Sequence, residues 1–401
     1  MIRDPQGFGL QLQAFAAWTR EIGMSLEREI EHDDAVSERA VEQIRALGLF
    51  GLSIPRAYGG SGMTLEELCL SAMELAYASM ALRARYSGNT GIASEGLIQD
   101  GTEAQKKTWL PRLASGEITG CLALTEPQAG SDATNIQTSA REVGEDFVLD
   151  GIKTHVTNAP QGGLFTVFAR TEPGRTASGV TAFLLPRETA GLSVGEPYQK
   201  MGLRGSQVCD VRLSGCRVPA SSILGGPAML GRGFSTALKA LNKQRIHLSA
   251  MAVAQSRRLI DEALEWTTRR EQFGQRLAEF QMVQSLLAEC QVEYLHARSF
   301  TLELARSYDA GADVTMQASA CKYFATEAAG RTADRVVQLF GGSGFTAQHP
   351  VERIYRDVRV MRLYEGTSQI HLLNIAKQMI KKFQPVGHPS AAPAGHAERT
   401  A

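Results

Sequence analysis

Apolar residues recur at i, i+3 and i+4 through "FGLQLQAFAAWTREIG" and "AVEQIRALGLFG", the spacing that lines one face of a helix. This pattern holds over residues 1–118. Within it, Thr64 with Glu67 and Thr102 with Gln105 read as capping boxes, each partner satisfying an orphan amide of the other. "IPRAYGGSG" is a loop, punctuated by Pro and Gly. Over 119–229 the period changes. The short β-prone runs "CLALT", "DFVLDGI", "LFTVFAR", "GVTAFLLP" and "QVCDVRL" alternate with turn residues and predict a small antiparallel sandwich or barrel. Over 230–384 long helical patterns return, led by "FSTALKALNKQRIHLSAMAVAQSRRLIDEALEWTTRR", long enough for a bundle helix. The tail 385–401 is rich in Pro, Ala and Gly and is expected to be disordered. The fold class is therefore α+β: an N-terminal helical domain, a central antiparallel β-barrel or sandwich, and a C-terminal helical bundle.

Composition narrows the function. A length of 401 residues suits two or three packed units rather than one core. Lys plus Arg and Asp plus Glu number 42 each, which argues against nucleic acid or an anionic membrane as the main partner. No apolar run reaches the length of a membrane span. The N-terminus lacks the layout of a secretory signal, so a cytoplasmic location is expected. The six cysteines show no CxxC spacing and read as buried free thiols. The histidines show no metal-ligand spacing, and no metal is expected.

Four stretches carry candidate chemistry. "LTEPQAGSD" puts Thr125, Gly130, Ser131 and Asp132 in an irregular loop after a strand, suited to a polar ring edge or phosphate but also readable as an ordinary turn. "GGSGF" at 341–345 lacks dinucleotide-fingerprint spacing and reads as a helix C-cap. Arg270 of "RREQFGQRLAEFQ" is either a pyrophosphate clamp or a solvated arginine. Glu365 in "RLYEGTSQIH" precedes Gly366, which permits close backbone approach, and Thr367 and Gln369, which offer side-chain donors near a helix start.

Together these stretches resemble the acyl-CoA dehydrogenase family. "CLALTEPQAGSD" is similar to its first signature, and "QLFGGSGFTAQHPVERIYRDVRVMRLYEGTSQIH" is similar to its second nearly position by position. "REQFGQRLAEFQ" matches the opening of a bundle helix. The resemblance covers residues 10 to 382 in order. It implies a C-terminal four-helix bundle, and FAD held between the β domain and that bundle, with part of the site supplied by a neighbouring subunit of a homotetramer. Leu122, Leu124, Thr125 and Ser131 would line the flavin and the start of the CoA channel. His155, Val156 and Thr157 of "KTHVTN" would meet the isoalloxazine. Arg270, Phe273, Gln281, Gln338, Gly341 and Gly342 would hold the pyrophosphate and adenosine, and Thr367 and Gln369 would touch FAD beside the base. Asn242, Arg245 and Gly366 would lie on the substrate side.

The reaction implied is α,β-dehydrogenation of an acyl-CoA thioester to the trans-2-enoyl-CoA. Glu365 would remove the α-proton, the β-hydrogen would pass as hydride to flavin N5, and an electron-transferring flavoprotein would collect the electrons. A weakly acidic α-proton demands a dry base and a stabiliser for enolate charge. Burial would raise the pKa of Glu365, with Tyr364 as part of the wall. The family's other base position is Gln244 here, which cannot abstract a proton. His155 stands where the family has an aromatic ring. Arg83 and Ser87 resemble the carboxylate-binding pair of glutaryl-CoA dehydrogenases, although the acidic companion of that arginine is replaced by Ala76, and Arg85 reads as a possible outward charge. A buried arginine calls for an anionic partner, which a dicarboxylic acyl group supplies. Two other readings are an acyl-CoA oxidase using oxygen and a flavin-fold protein repurposed for binding. The intact Glu365 and balanced charge disfavour the second.

Overall fold

The computed structural model describes residues 1–174 and 176–383; the tail expected to be disordered lies outside them. The N-terminal region is helical: α1 (Pro5–Trp18), α2 (Glu27–Asp33), α3 (Glu38–Ala46), α4 (Leu65–Leu75), α5 (Met80–Ser87), α6 (Ile92–Asp100) and α7 (Glu103–Ser115). Strands β1 (Thr119–Ala123), β2 (Ser139–Val143), β3 (Asp146–Thr157), β4 (Gly162–Arg170), β5 (Val180–Pro186), β6 (Leu192–Val194) and β7 (Val208–Pro219) follow. The C-terminal region holds α8 (Gly233–Arg269), the short hairpin of β8 (Glu271–Gln272) and β9 (Gln275–Arg276), then α9 (Gln281–Asp309), α10 (Thr315–Phe340), α11 (Pro350–Val358) and α12 (Ser368–Lys382).

Both capping boxes form. Thr64 accepts from the Glu67 amide while Glu67 accepts from that of Thr64, and Thr102 and Gln105 do the same. Gln105 does more than cap. Its Nε2 donates to the Ile223 carbonyl at 2.7 Å and its Oε1 accepts from the Gly225 amide at 2.9 Å, tying α7 to the β region.

The sheet runs β1-β4-β2-β3-β7-β6, with β5 on the free side of β4. It departs from the expected all-antiparallel arrangement, because β1 pairs with β4 in parallel. The two strands are separated by the long β2–β3 excursion, which returns the chain in the same direction as β1. Strands β4 and β5 are buried along nearly their whole length because successive side chains point to opposite faces and both faces are covered. Phe165, Val167 and Phe183 point into the curl of the sheet, whereas Leu164, Phe168 and Leu184 meet Leu97, Leu110 and Leu113 of the helices.

The bundle core joins α4, α8, α9 and α10. Small residues on α10 (Ala318, Cys321, Ala325, Ala329, Ala333) let it lie close to the fully buried stretch of α8 around Ile246 to Ala254. All six cysteines are free and buried, as their spacing implied. Among the described residues no helix is long and apolar enough to cross a membrane. Gly341 caps α10 with φ of 59°, and "GGSGF" continues as a 3₁₀ turn, Gly341–Phe345.

Candidate active site

Glu365 lies in the turn between a 3₁₀ segment (Arg359–Arg362) and α12. It has a φ of 54°, in the left-handed region that non-glycine residues rarely adopt. Cations fix that turn from two sides. Arg245 Nε on α8 donates to the Glu365 carbonyl at 3.4 Å, and Lys322 Nζ on α10 donates to the next carbonyl, Gly366, at 2.7 Å. Gly366 has a φ of 96°, which strains any other residue, and a Cβ there would also crowd His371 Nε2 at 3.1 Å. Thr367 caps α12 by accepting from the Ile370 amide at 3.3 Å, and Ser368 anchors the helix start by donating to Glu327 at 2.6 Å. Gln369 is exposed beside it.

Glu365 is half-buried as a residue, but its carboxylate Oε2 is out of water and has no hydrogen-bond partner. Burial pushes its pKa up; Arg83, then Lys322 and Arg245, pull the other way. Burial likewise drives Lys322 down to about 8, and holds His371 neutral with a pKa of about 3. Neither His371 ring nitrogen makes a hydrogen bond. Tyr364 packs against the bundle core beside the carboxylate. The Glu365 amide donates to no described residue. The arrangement is a carboxylate with one buried, unpartnered oxygen, a free amide and three cations acting on it.

Arg83 enters from α5. Its Nη2 lies 3.1 Å from Nδ1 of His247 on α8, while its Nε is buried without a partner. No carboxylate among the described residues pairs with it. Ser87, one turn on, donates to its own helix at the Ala84 carbonyl, 2.8 Å away. Asn242 accepts from Arg245 Nη1 at 3.2 Å and so orients that guanidinium. Gln244 is buried, with its Oε1 2.6 Å from where a Cβ on Gly91 would stand. Arg85 is not the outward charge it could have been. It is buried, donates to Thr119 Oγ1 at 2.8 Å and lies over Phe50. It sits two residues from Arg83 and so faces the opposite side of the helix.

The strand-end residues meet by hydrogen bonding. The Thr154 amide donates to the Thr125 carbonyl at 2.8 Å, joining "LTEPQAGSD" to the end of β3. Asn158, just past Val156 and Thr157, donates to the Ala84 carbonyl at 2.8 Å, which brings α5 and Arg83 to the same edge. Leu122 and Leu124 are half-buried and Val156 fully buried. His155, with φ of 56°, holds an exposed ring 5.3 Å from that of Tyr198. The organiser of the loop is Glu126. It ion-pairs with Lys153 at 2.6 Å, both fully buried, and accepts from the Gln137 and Thr138 amides at 2.6 and 2.9 Å.

The remaining residues named from sequence gather elsewhere. Arg270 and Phe273 sit on the β8–β9 hairpin, Gln281 starts α9, and Gln338, Gly341 and Gly342 end α10; all are exposed, Phe273 to 95%. Trp266 stacked on Phe340 at 4.8 Å holds these ends together. Gln338 lies sixteen residues from Lys322 along α10, roughly 24 Å at 1.5 Å per residue. One chain thus presents two separate groups of the candidate residues.

Sequence reasoning missed Lys322, His371, His247 and the Glu126–Lys153 pair. Lys322 had a signal: it falls on the apolar face of α10, four residues after Ala318 and three before Ala325.

With this geometry in place, comparison with known proteins is decisive. Three family models match in order: the acyl-CoA dehydrogenase N-terminal domain over 11–117, the middle domain over 121–216 and the C-terminal domain over 231–380. The chain belongs to the acyl-CoA dehydrogenase family. A probable acyl-CoA dehydrogenase of Bacillus subtilis is 37% identical over 355 residues, covering 88% of this chain and 93% of the relative. The solved butyryl-CoA dehydrogenase of Megasphaera elsdenii superposes with a TM-score of 0.89 at 29% identity, covering 95% and 99% of the two chains. A solved glutaryl-CoA dehydrogenase of Mycobacterium smegmatis gives 0.87 at 30% identity, covering 94% and 95%. The chain is accordingly a flavin-dependent CH–CH oxidoreductase with FAD as its cofactor.

The residues present fit that cofactor. The Thr125, Ser131 and Thr157 hydroxyls make no hydrogen bond to described residues, leaving donors and acceptors for ring heteroatoms. At the other group, Arg270 makes no ion pair among the described residues and Gly341 and Gly342 leave open backbone, as a pyrophosphate requires.

Proposed function

We propose that this enzyme oxidises the α,β-bond of a short acyl-CoA whose distal end carries an anionic or strongly polar group, with Glu365 as the base. The observation behind the base is the orphaned, buried Oε2 of Glu365, destabilised as an anion and so restored towards proton affinity. The free Glu365 amide is a donor for the thioester carbonyl, and Arg245 and Lys322 hold it in place by clamping the two carbonyls that follow. Tyr364 excludes water from the carboxylate. FAD, when bound, accepts the β-hydrogen with its electron pair. Leu122, Leu124, Thr125, Ser131, His155, Val156 and Thr157 would position the ring, and Thr367 and Gln369 would contact it near the base.

The observation behind the polar acyl end is Arg83. It is a half-buried arginine with a shielded, unpartnered Nε, and its hydrogen bond goes to a neutral imidazole, so no ion pair meets its charge. Ser87, one helical turn away, would join it after releasing the Ala84 carbonyl. The test is anaerobic bleaching of the bound flavin by a panel of acyl-CoAs. Glutaryl-CoA should reduce it faster than butyryl-CoA, and Arg83→Ala should erase the preference. Faster reduction by butyryl-CoA in the wild type would remove the acidic-substrate reading.

We further propose that the enzyme is a homotetramer that passes its electrons to an electron-transferring flavoprotein. Exposed Phe273, Met282 and Phe345 support self-association near the second residue group, and that group would then complete a neighbour's FAD site. A monomer by light scattering that still binds FAD tightly would contradict it.

A further inference from the structure

Arg83 comes from a short helix, and a long flexible side chain without a carboxylate ion pair needs something to aim it. His247 is the group in contact. It stands on α8, 4% exposed, inside a stretch where every residue from Gln244 to Ser256 is buried. An arginine has only donors, so at 3.1 Å the His247 Nδ1 must be the acceptor. The imidazole is therefore neutral and carries its proton on Nε2. Its surroundings keep it so: burial, the Arg83 charge and Lys243 one helical turn earlier all disfavour a second proton. Lys243 is itself held away by a 2.7 Å ion pair with Glu95 on α6, so it does not compete for Nδ1.

We propose that His247 is a specificity-determining positioning residue. Its Nδ1 acts as a fixed acceptor that turns the Arg83 guanidinium into a preset fork for the anionic end of the acyl group. The inference rests on the reading of Arg83 given above and adds the residue through which Arg83 works. A neutral acceptor suits this role better than a carboxylate. Asp or Glu in that place would neutralise Arg83 and compete with the substrate, whereas an uncharged nitrogen orients the guanidinium and leaves its charge unspent.

The test compares flavin reduction by glutaryl-CoA and butyryl-CoA in the FAD-loaded wild type, Arg83→Ala, His247→Leu, His247→Asn, His247→Gln and the Arg83→Ala/His247→Leu double variant. Limiting rate and half-saturation are read separately. Leu removes the acceptor at similar size and should lower the glutaryl preference about tenfold, mainly through half-saturation, the loss expected of one hydrogen bond to a charged group. Asn places its oxygen where Nδ1 stood and should restore most of the preference; Gln places it further out and should not. In the Arg83→Ala background, His247→Leu should change the preference less than about twofold, as expected of residues acting through one another. If Arg83→Ala lowers the preference but His247→Leu does not, or lowers it equally without Arg83, the His247 role is overturned while the Arg83 reading stands. If Arg83→Ala itself leaves the preference intact, both fall. Should His247→Leu lose FAD, the Asn and Gln variants decide, and equal preference in the two overturns the role.

Discussion

Glu126 and Glu365 are both glutamates taken out of water, one in each of the chain's two signature stretches, and their surroundings are opposite. Glu126 receives the Lys153 ammonium and two backbone amides, and these hold its pKa below the usual carboxylate value despite burial. Glu365 has cations nearby but no hydrogen bond at Oε2, and burial wins, pushing its pKa up. The same side chain is a structural rivet where its lone pairs are filled and a candidate base where they are left empty.

The sharpest way to break this contrast is to remove each carboxylate. Glu365→Gln should keep FAD and bind acyl-CoA, yet slow flavin reduction by at least about 10³-fold in anaerobic stopped flow, the scale of a lost general base. Reduction within tenfold of wild type would end the assignment. Glu126→Gln should act instead on stability. Stranding Lys153 costs about 3–5 kcal/mol, read as a lower denaturation midpoint. Pairing Glu126→Gln with Lys153→Met should recover much of that loss, because the stranded charge goes too.

A smaller effect concerns pH. Reduction should rise with pH along a limb displaced above the ordinary glutamate value of 4.5. Lys322 favours the ionised form, so Lys322→Met should move that limb to higher pH; an unmoved limb would mean that Lys322 acts only on the Gly366 carbonyl. The smallest effect involves His371, which shares the enclosure. Its folded pKa of about 3 lies below the unfolded 6.5, so the unfolded chain takes up the proton first as pH falls. Stability should decline from pH 6.5 towards 3, and His371→Asn should flatten that decline in thermal unfolding.

Much of this was legible in sequence because it rests on local rules. Period 3.6 gave way to alternation and returned, and Thr64–Glu67 and Thr102–Gln105 capped the helices they flank. Glu365 was found because its motif is contiguous. What sequence hid was assembled by tertiary packing. Glu126 in the loop after β1 meets Lys153 on β3, His247 meets Arg83 from a different helix, and a lone Lys or His in a helix ordinarily reads as solvated. The parallel β1–β4 pair was hidden for the same reason, since pairing partners distant in sequence leave no local mark.

One long helix, α8, carries Arg245 and His247 near its middle and leads directly into Arg270. Over those twenty-five residues it spans roughly 37 Å, and every inserted or deleted residue would swing one end by about 100° relative to the other. Length changes there would dismantle two residue groups at once, while the exposed residues 172–174 and 176–178 between β4 and β5 carry no such penalty. The gene can therefore drift in length near those exposed residues but is held to a fixed reading length along α8, so related chains should align without gaps from Arg245 to Arg270.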